Sequence, residues 1–553
     1  MTRRRAALLL ALLVVTANAG CRRAPSAGDG AAADTRGWLP AGTPVVLVSI
    51  DTLRADHLPA YGYREVATPA IDALRRDGVL FARAYSPVPL TFPAHASLLS
   101  GLAPDQHGVR DNTGYLFDGK AQPYLPRELH EAGYATAAAV SALVLARGTG
   151  LGEGFDLYED SFSWQAGTLL GQVQRPGGEA LAGVRGWLRG RGGKPFFLFL
   201  HLYEPHSPYS PPEPYASRYA RPYDGEIAAA DAVVGDLVAE LRALGVYDRA
   251  LVILLSDHGE GLGDHGEQEH GILLYREAIQ VPLLLKLPGG RAAGAIVEAP
   301  VGLLDVAPTL QPLTGAAAEP QRRGVSLLAR IAGDASAHPV YAETLYPRIH
   351  FGWSELTSVV DGPWHFIQGP DPELYDLAAD AGERRNRREE RRPEVRRMQE
   401  LLRVRPLAFR APATPSAEEL RQLAALGYVG SAAPVPTGKG PLPDPKREVR
   451  TLEPLTRGFQ AFARQDYATA IPALRATVER HPRLGEAWEY LGQALVASGQ
   501  RDAAIAAYRD GLAQVGSSPN LAAGAARALV EAGRPAEALR YLDLQLARTP
   551  DAP

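Results

Sequence analysis

The sequence predicts an α/β domain with a largely parallel sheet, followed by an all-α repeat array. Three observations lead to the α/β domain and the array. Short continuous apolar runs alternate with amphipathic helical stretches over most of the chain. A Pro/Gly-rich segment, "SAAPVPTGKGPLPDPK" (431–446), ends that alternation. Beyond it small residues recur 34 positions apart: Gly458 and Gly492, then Ala470, Ala504 and Ala538.

The chain begins with "MTRRR", an apolar run "AALLLALLVV" and the small residues "TANAGC". That order is a secretory leader over residues 1–20, and its apolar run is short for a bilayer span. Cleavage before Gly20 and a lipoprotein site with lipid on Cys21 both fit, and both place the protein outside the cytoplasm, in a periplasm or at a cell surface. Residues 21–43 read as a flexible tether. Cys21 is the sole cysteine, which excludes an internal disulfide and a thiolate metal cluster. The formal charge of −4 over 553 residues argues against a bulk nucleic-acid binder.

From residue 44 the elements follow in turn. "PVVLVSI" (44–50) is a buried strand, and "TPAIDALRRDGV" (68–79) has helical spacing. "ATAAAVSA" (135–142) and "PFFLFLHL" (195–202) are further strands. "GEIAAADAVVGDLVAELRALG" (225–245) is a long amphipathic helix, and "RALVILLS" (249–256) another buried strand. Residues 382–399 mix arginines with Glu383, Glu389, Glu390 and Glu394, the pattern of a solvated helix laced with ion pairs. An α/β domain over 44–430, a linker over 431–449 and repeats over 450–553 complete the plan. "EAWEYLGQALVASGQRDAAIAAYRDGLA" (486–513) resembles a tetratricopeptide unit through Trp488, Leu491, Gly492, Ala504 and Tyr508. Stacked helical hairpins of this kind bury one shared core. They either present a concave face to a protein partner or pack on the catalytic domain.

The chemistry gathers at strand ends. Strand 44–50 runs into Asp51, and strand 249–256 into Asp257 and His258. Ligands of open α/β sheets bind beyond the carboxyl ends of strands, so these three side chains can meet at one cation. In "PLTFPAHASLLSG" Thr91 opens a helix, where backbone N–H groups favour an anionic ester. A bound cation lowers the pKa of such a hydroxyl and makes it a nucleophile. His201 and His206, in "HLYEPHSPYSPPEPY", are placed beyond a third strand, where His206 can protonate a leaving alkoxide.

The segments "SIDTLRADHLPAYGY", "PLTFPAHASLLSGLAPDQHGVRDN", "YEPHSPYSPP", "LLSDHGEGLGDHGEQEHGILLYREAIQVPLLL" and "ELYDL" together resemble the sulfatase branch of the alkaline phosphatase superfamily, over about residues 44–430. The resemblance implies a large, mostly parallel sheet between helices with a smaller C-terminal subdomain, and metal ligation by Asp51, Asp257 and His258, with Thr91 as both nucleophile and ligand. It implies ester or leaving-group contacts for His206, an ester-binding role for His270 where many members carry lysine, and an anion contact for Asn112. Glu260, Asp264 and His265 are given turn or structural roles.

Several departures shape the functional expectation. Family sulfatases carry Cys or Ser in "C-x-P-x-R", converted to formylglycine, whereas this chain reads Thr91-Phe92-Pro93-Ala94-His95. Threonine cannot become formylglycine, and a sulfated threonine lacks the elimination by which the aldehyde hydrate is regenerated. A phosphorylated threonine is open to water at phosphorus. Thr52 stands at the family's second aspartate and His258 at its asparagine, which shifts preference from Ca²⁺ or Mg²⁺ toward Zn²⁺ or Mn²⁺. His95 replaces the motif arginine, either donating to the ester or serving a second metal. His201, Glu204 and His270 offer a partial second ligand set. The expectation is a metal-dependent hydrolase of phosphate mono- or diesters. Its competitors are a sulfatase with an atypical nucleophile, a phosphoryl or phosphoethanolamine transferase acting on an envelope glycan or lipid, and a decayed binding scaffold. Loops 110–125 and 340–365, with Trp353 and Trp364, are candidate pocket walls.

Overall fold

The computed structural model describes residues 34–162, 174–403, 441–515 and 518–548. The leader, Cys21 and most of the expected linker lie outside the described residues. An eight-stranded sheet forms the centre of the catalytic domain. Its strands are β1 (Val45–Ile50), β2 (Val79–Phe81), β3 (Ala135–Ala139), β4 (Leu157–Glu159), β5 (Phe196–Leu202), β6 (Leu251–Leu255), β7 (Leu283–Lys286) and β8 (Ile296–Val297). They lie in the order β8-β2-β7-β6-β1-β5-β3-β4, and β7 alone runs against the rest.

The apolar runs are continuous because both faces of the sheet are covered. Val45 and Leu47 of β1 point into one core, Val46, Val48 and Ile50 into the other. The second core packs under α1 (Pro69–Asp77), α3 (Gly177–Gly190) and α4 (Pro222–Ala243), through Ile71, Val184 and Leu237. The first packs under α2 (Thr91–Ser100) and α5 (Val306–Thr314), through Phe92, Leu98 and Leu310. Ser49 pairs in parallel register with Leu255 on one side and His201 on the other. Asp51 and Asp257, each two residues further on, therefore leave the sheet at the same level.

Strands β9 (Val340–Thr344), β10 (Leu356–Asp361), β11 (Trp364–Gln368) and β12 (Glu373–Asp376) form an antiparallel subdomain sheet. Trp364 packs with α6 (Arg392–Arg403) around the buried Met398. The acidic and basic residues before α6 pair with each other, as Arg385 and Arg387 do with Glu390. The helix starts at Arg392, so the expected helix over 382–399 is shorter at its N-terminal side.

Two boundaries also move. Leu39 is buried in the catalytic core with Trp38 against it, so the tether does not extend to residue 43. At the other end Pro445–Glu448 is a helical turn with Pro445 and Val449 buried, so the C-terminal part of the expected linker is packed structure.

The C-terminal array has three helical hairpins: α7 (Glu453–Ala463) with α8 (Tyr467–Arg480), α9 (Gly485–Ala497) with α10 (Arg501–Val515), and α11 (Pro519–Glu531) with α12 (Pro535–Arg548). Gly492 is required by close approach, since a Cβ there would stand 2.3 Å from the Tyr508 ring. Gly492→Ala is expected to destabilise the array by about 1–3 kcal/mol through overpacking, read as a lower melting temperature.

A pH effect arises on α4. Glu226 is buried, accepts the Ser210 N–H at 2.6 Å through one oxygen and leaves the other without a partner. Burial pushes its carboxyl up to about 8. The folded chain thus holds a proton here that the unfolded chain releases in the ordinary Glu range. The site's contribution is full below that range and is lost as pH rises to about 8. Glu226→Gln is expected to melt higher than the parent at about pH 9 and alike at about pH 4, by thermal denaturation at the two values.

Candidate active site

Asp51 is fixed by its backbone: its N–H bonds Leu202 O at 2.9 Å. Thr52 follows with φ +53, a left-handed conformation that costs a β-branched residue energy. Its hydroxyl donates to Pro205 O at 2.7 Å. That hydrogen bond ties the strand end to the loop after β5.

Thr91 is the first residue of α2, a helix buried along its whole length. Pro93 sits in the first turn, where its missing N–H costs nothing. No side chain of the preceding residue caps the helix; instead Asn112 Oδ1 accepts the Phe92 N–H at 2.9 Å. Asn112 therefore holds the backbone beside Thr91.

Four side chains converge there. Thr91 Oγ1 lies 3.5 Å from Asp51 Oδ1 and 3.2 Å from His258 Nε2. His258 Nε2 lies 3.6 Å from Asp51 Oδ1 and 3.4 Å from Asp257 Oδ2. His258 Nδ1 donates to Gly259 O at 2.9 Å, which leaves Nε2 with its lone pair free. Asp51 Oδ2 and both Asp257 oxygens are buried without a hydrogen-bond partner. Metal bonds of ~2.1 Å in a tetrahedron separate the donor atoms by ~3.4 Å. The observed spacing of Asp51, Thr91, Asp257 and His258 thus fits one divalent cation, and the orphaned oxygens call for one.

Electrostatics agree with that fit. Burial lifts the Asp51 carboxyl, and burial with the nearby Asp51 charge lifts that of Asp257. Burial pushes His258 down to about 3 and His270 to about 4, so both rings are neutral. Neutral imidazole is the form that binds metals.

His206 and His270 flank this centre. The His270 ring is 4.4 Å from His258 and 5.1 Å from His206, and its Nδ1 meets Glu260 Oε1 at 3.0 Å. His206 stacks on Tyr203 at 4.4 Å and donates from Nδ1 to Ser207 O at 2.6 Å. Burial lowers its pKa, against the pull of Asp51.

Other expectations need correction. His95 makes no ester contact available: Nδ1 donates to Thr91 O at 2.7 Å and Nε2 meets Ser49 Oγ at 2.9 Å. His95, His201 and Asp257 do bring donor atoms within 4.8 Å of one another, but a second cation would have to break the Thr91 bond. His201 is inside β5, not beyond it. Its Nδ1 accepts the Ser141 N–H at 3.4 Å, so Nε2 carries the proton toward Asp51 Oδ2, 3.4 Å away. Nε2 makes no hydrogen bond there, and neither does Asp51 Oδ2. Glu204 accepts the Gly177 N–H at the start of α3 and is no ligand here. Trp353 and Trp364 are packing residues, so loop 340–365 gives no aromatic pocket wall through them. A cavity of about 970 Å³ is lined by Arg54, Asp264, Arg276, Glu383 and Arg450 and by none of the converging residues.

Glu260 is fully buried, accepts from Tyr209 and faces His270, which fits the structural role expected of it. Burial lifts its carboxyl to about 7. Its place in "SDHGEGLGDHGEQEH" carries no signal that separates it from Asp264, which pairs outward with Arg54.

This arrangement can be set beside known proteins. A family model described as Sulfatase matches residues 43–316, and two tetratricopeptide repeat models match residues 456–519 and 495–553. Steryl-sulfatase of Mus musculus is 28% identical over 277 residues, 42% of this chain and 44% of that protein, so the chain spans under half of its length. Choline-sulfatase of Rhizobium meliloti is 25% identical over 421 residues, 61% of this chain and 80% of that protein. The solved phosphonate monoester hydrolase of Agrobacterium radiobacter shares the fold, with a TM-score of 0.55 at 21% identity over 66% of this chain and 94% of that one. With its α/β/α sheet and the three hairpins behind it, the chain carries a sulfatase-family domain of the alkaline phosphatase superfamily, followed by tetratricopeptide repeats.

Proposed function

We propose that this protein is a metal-dependent hydrolase of phosphate mono- or diesters that works through Thr91 outside the cytoplasm. The observation that carries the reading is the Thr91 hydroxyl, 3.2 Å from His258 Nε2 and 3.5 Å from Asp51 Oδ1, at the spacing of a cation's own ligands. A divalent ion held by Asp51, Asp257 and His258 supplies a lowered hydroxyl pKa and positive charge beside the ester. One imidazole, two carboxylates and an alcohol suit Zn²⁺ or Mn²⁺ better than Ca²⁺.

The chain's own residues do the rest. Thr91 Oγ1, its proton lost to solvent at the lowered pKa, forms a bond to phosphorus as the bond from phosphorus to the leaving oxygen breaks. The N-terminus of α2 favours the anionic ester, and Asn112 fixes the Phe92 N–H there. His206, when protonated, gives its proton to the leaving alkoxide. Water, giving a proton to the now neutral His206, then attacks the phosphothreonine at phosphorus as the bond to Thr91 Oγ1 breaks, which restores the enzyme. A threonine sulfate has no comparable exit short of attack at sulfur, so residue 91 favours phosphate.

The test is turnover of bis(4-nitrophenyl) phosphate and of 4-nitrophenyl sulfate by full-length protein, chelated and then restored with Zn²⁺ or Mn²⁺. Metal-dependent diester turnover exceeding sulfate turnover is expected. Repeated turnover of the sulfate at the higher rate would defeat the reading.

A further inference from the structure

One turn of the subdomain touches both the repeats and the start of the nucleophile helix. The turn is residues 346–353. On one side the Phe351 and Trp353 rings stack at 4.5 Å and meet the ring of His481, just after α8, at 6.1 and 5.7 Å. His481 is itself held, with Nε2 2.9 Å from Thr451 Oγ1. The hydrophobic cluster that contains Tyr346, Phe351 and Trp353 continues through Leu484, Ala487 and Leu491 of the second hairpin. Glu486 at the start of α9 is near enough to feel the charges of Glu269, His350 and Asp111.

On the other side the same turn reaches Thr91. Tyr346 packs against Leu90, the residue before Thr91, and a Cβ on Gly271, next to His270, would meet the Tyr346 ring at 3.5 Å. The Tyr346 and His350 rings lie 4.1 Å apart. His350 Nε2 bonds Asp111 Oδ2 at 2.6 Å, and Asp111 Oδ1 accepts the Asn112 N–H at 2.7 Å. Asn112 Oδ1 accepts the Phe92 N–H at 2.9 Å. The hydrogen bonds thus run unbroken from His350 to the residue after the nucleophile. Asp111 is buried, and its neighbour Arg110 is anchored on the buried Glu343.

We infer that the docked repeats are a working part of the active site: they hold the 346–353 turn, and His350 is a positioning residue that sets Thr91 through Asp111 and Asn112. The array then serves the catalytic domain first. A rigid element with one seat against α2 transmits the docked arrangement without touching substrate. The kinetic consequence rests on Thr91 as the nucleophile; the structural link does not.

The experiment uses full-length protein and two readouts. The first is hydrogen exchange of the segment around residues 89–99. His350→Ala, and His481→Ala in the array, are both expected to speed its exchange, while His350→Gln, whose amide can still donate to Asp111, restores protection. The second is turnover of bis(4-nitrophenyl) phosphate with metal restored. His350→Ala is expected to lower kcat by about ten- to a hundredfold with little change in KM, the size of a small misplacement of a reacting group. The double variant with Asn112→Ala is expected to be no slower than Asn112→Ala alone, because both act through one bond. Exchange unchanged in both alanine variants would overturn the link even if no ester is turned over. Full multiplication of the two kcat losses would overturn the role of His350. Should the protein turn over no ester, faster exchange in both variants would still support the link.

Discussion

Thr91→Ala is expected to lower kcat on a phosphodiester by at least about 10³-fold, or ~4 kcal/mol of transition-state stabilisation. The change removes one methyl and one hydroxyl from a residue that is 2% exposed, at the end of a helix whose other turns are untouched. Asp51, Asp257 and His258 remain, so metal content by elemental analysis is expected to stay close to that of the parent. That combination, metal kept and chemistry lost, separates a nucleophile from a residue that merely completes the site. Thr91→Ser keeps the hydroxyl in the same frame and is expected to retain measurable turnover. Activity of the alanine variant near the parent level would remove the covalent route, because no other hydroxyl is shown within hydrogen-bond reach of both Asp51 and His258 among the described residues.

The parts of this site that the sequence made legible are those written locally. Asp51 and Asp257-His258 directly follow apolar strands, and parallel register brings two such ends to one level. Thr91 opens a helix with proline in its first turn, a pattern visible in five residues. What stayed hidden depends on which nitrogen meets which neighbour. His95 reads as a free imidazole in place of an arginine, but the helix carries it back onto the carbonyl four residues before. His201 falls within the strand read at 195–202 and also within the loop segment "HLYEPHSPYSPPEPY", and the structure keeps it in the strand. Its tautomer appears only when the Ser141 N–H, just beyond β3, is seen to meet its Nδ1. Packing of the repeats on the α/β domain is one of the two roles the sequence leaves open, and the contacts that decide it carry no local signal. Trp353 and His481 are far apart in the chain, and neither has a local pattern that pairs it with the other. The 34-residue period predicts hairpins stacking on each other and is silent about what the first of them leans on.

The metal site also leads to an inverted stability order. Asp257 places two unpartnered carboxylate oxygens in a fully buried position beside the buried Asp51. Without a cation this is an uncompensated cost, because burial and mutual repulsion both oppose ionisation. With a cation at about a thousandfold over its dissociation constant, binding adds roughly 4 kcal/mol to the folded state. Asp257→Asn removes one charge and keeps the shape. In chelator the variant is therefore expected to melt above the parent, by on the order of 1–3 kcal/mol of stability. With Zn²⁺ or Mn²⁺ restored the order is expected to reverse, since the parent gains the binding energy and the variant loses a ligand. Its phosphodiester turnover is expected to be absent in both conditions. A simple structural role for Asp257 predicts instead that the variant is the less stable protein with and without metal. Melting curves of the two chains, each measured in chelator and in excess ion, discriminate between these outcomes, and a parent that stays ahead in both conditions would mean the buried oxygens are satisfied without a cation.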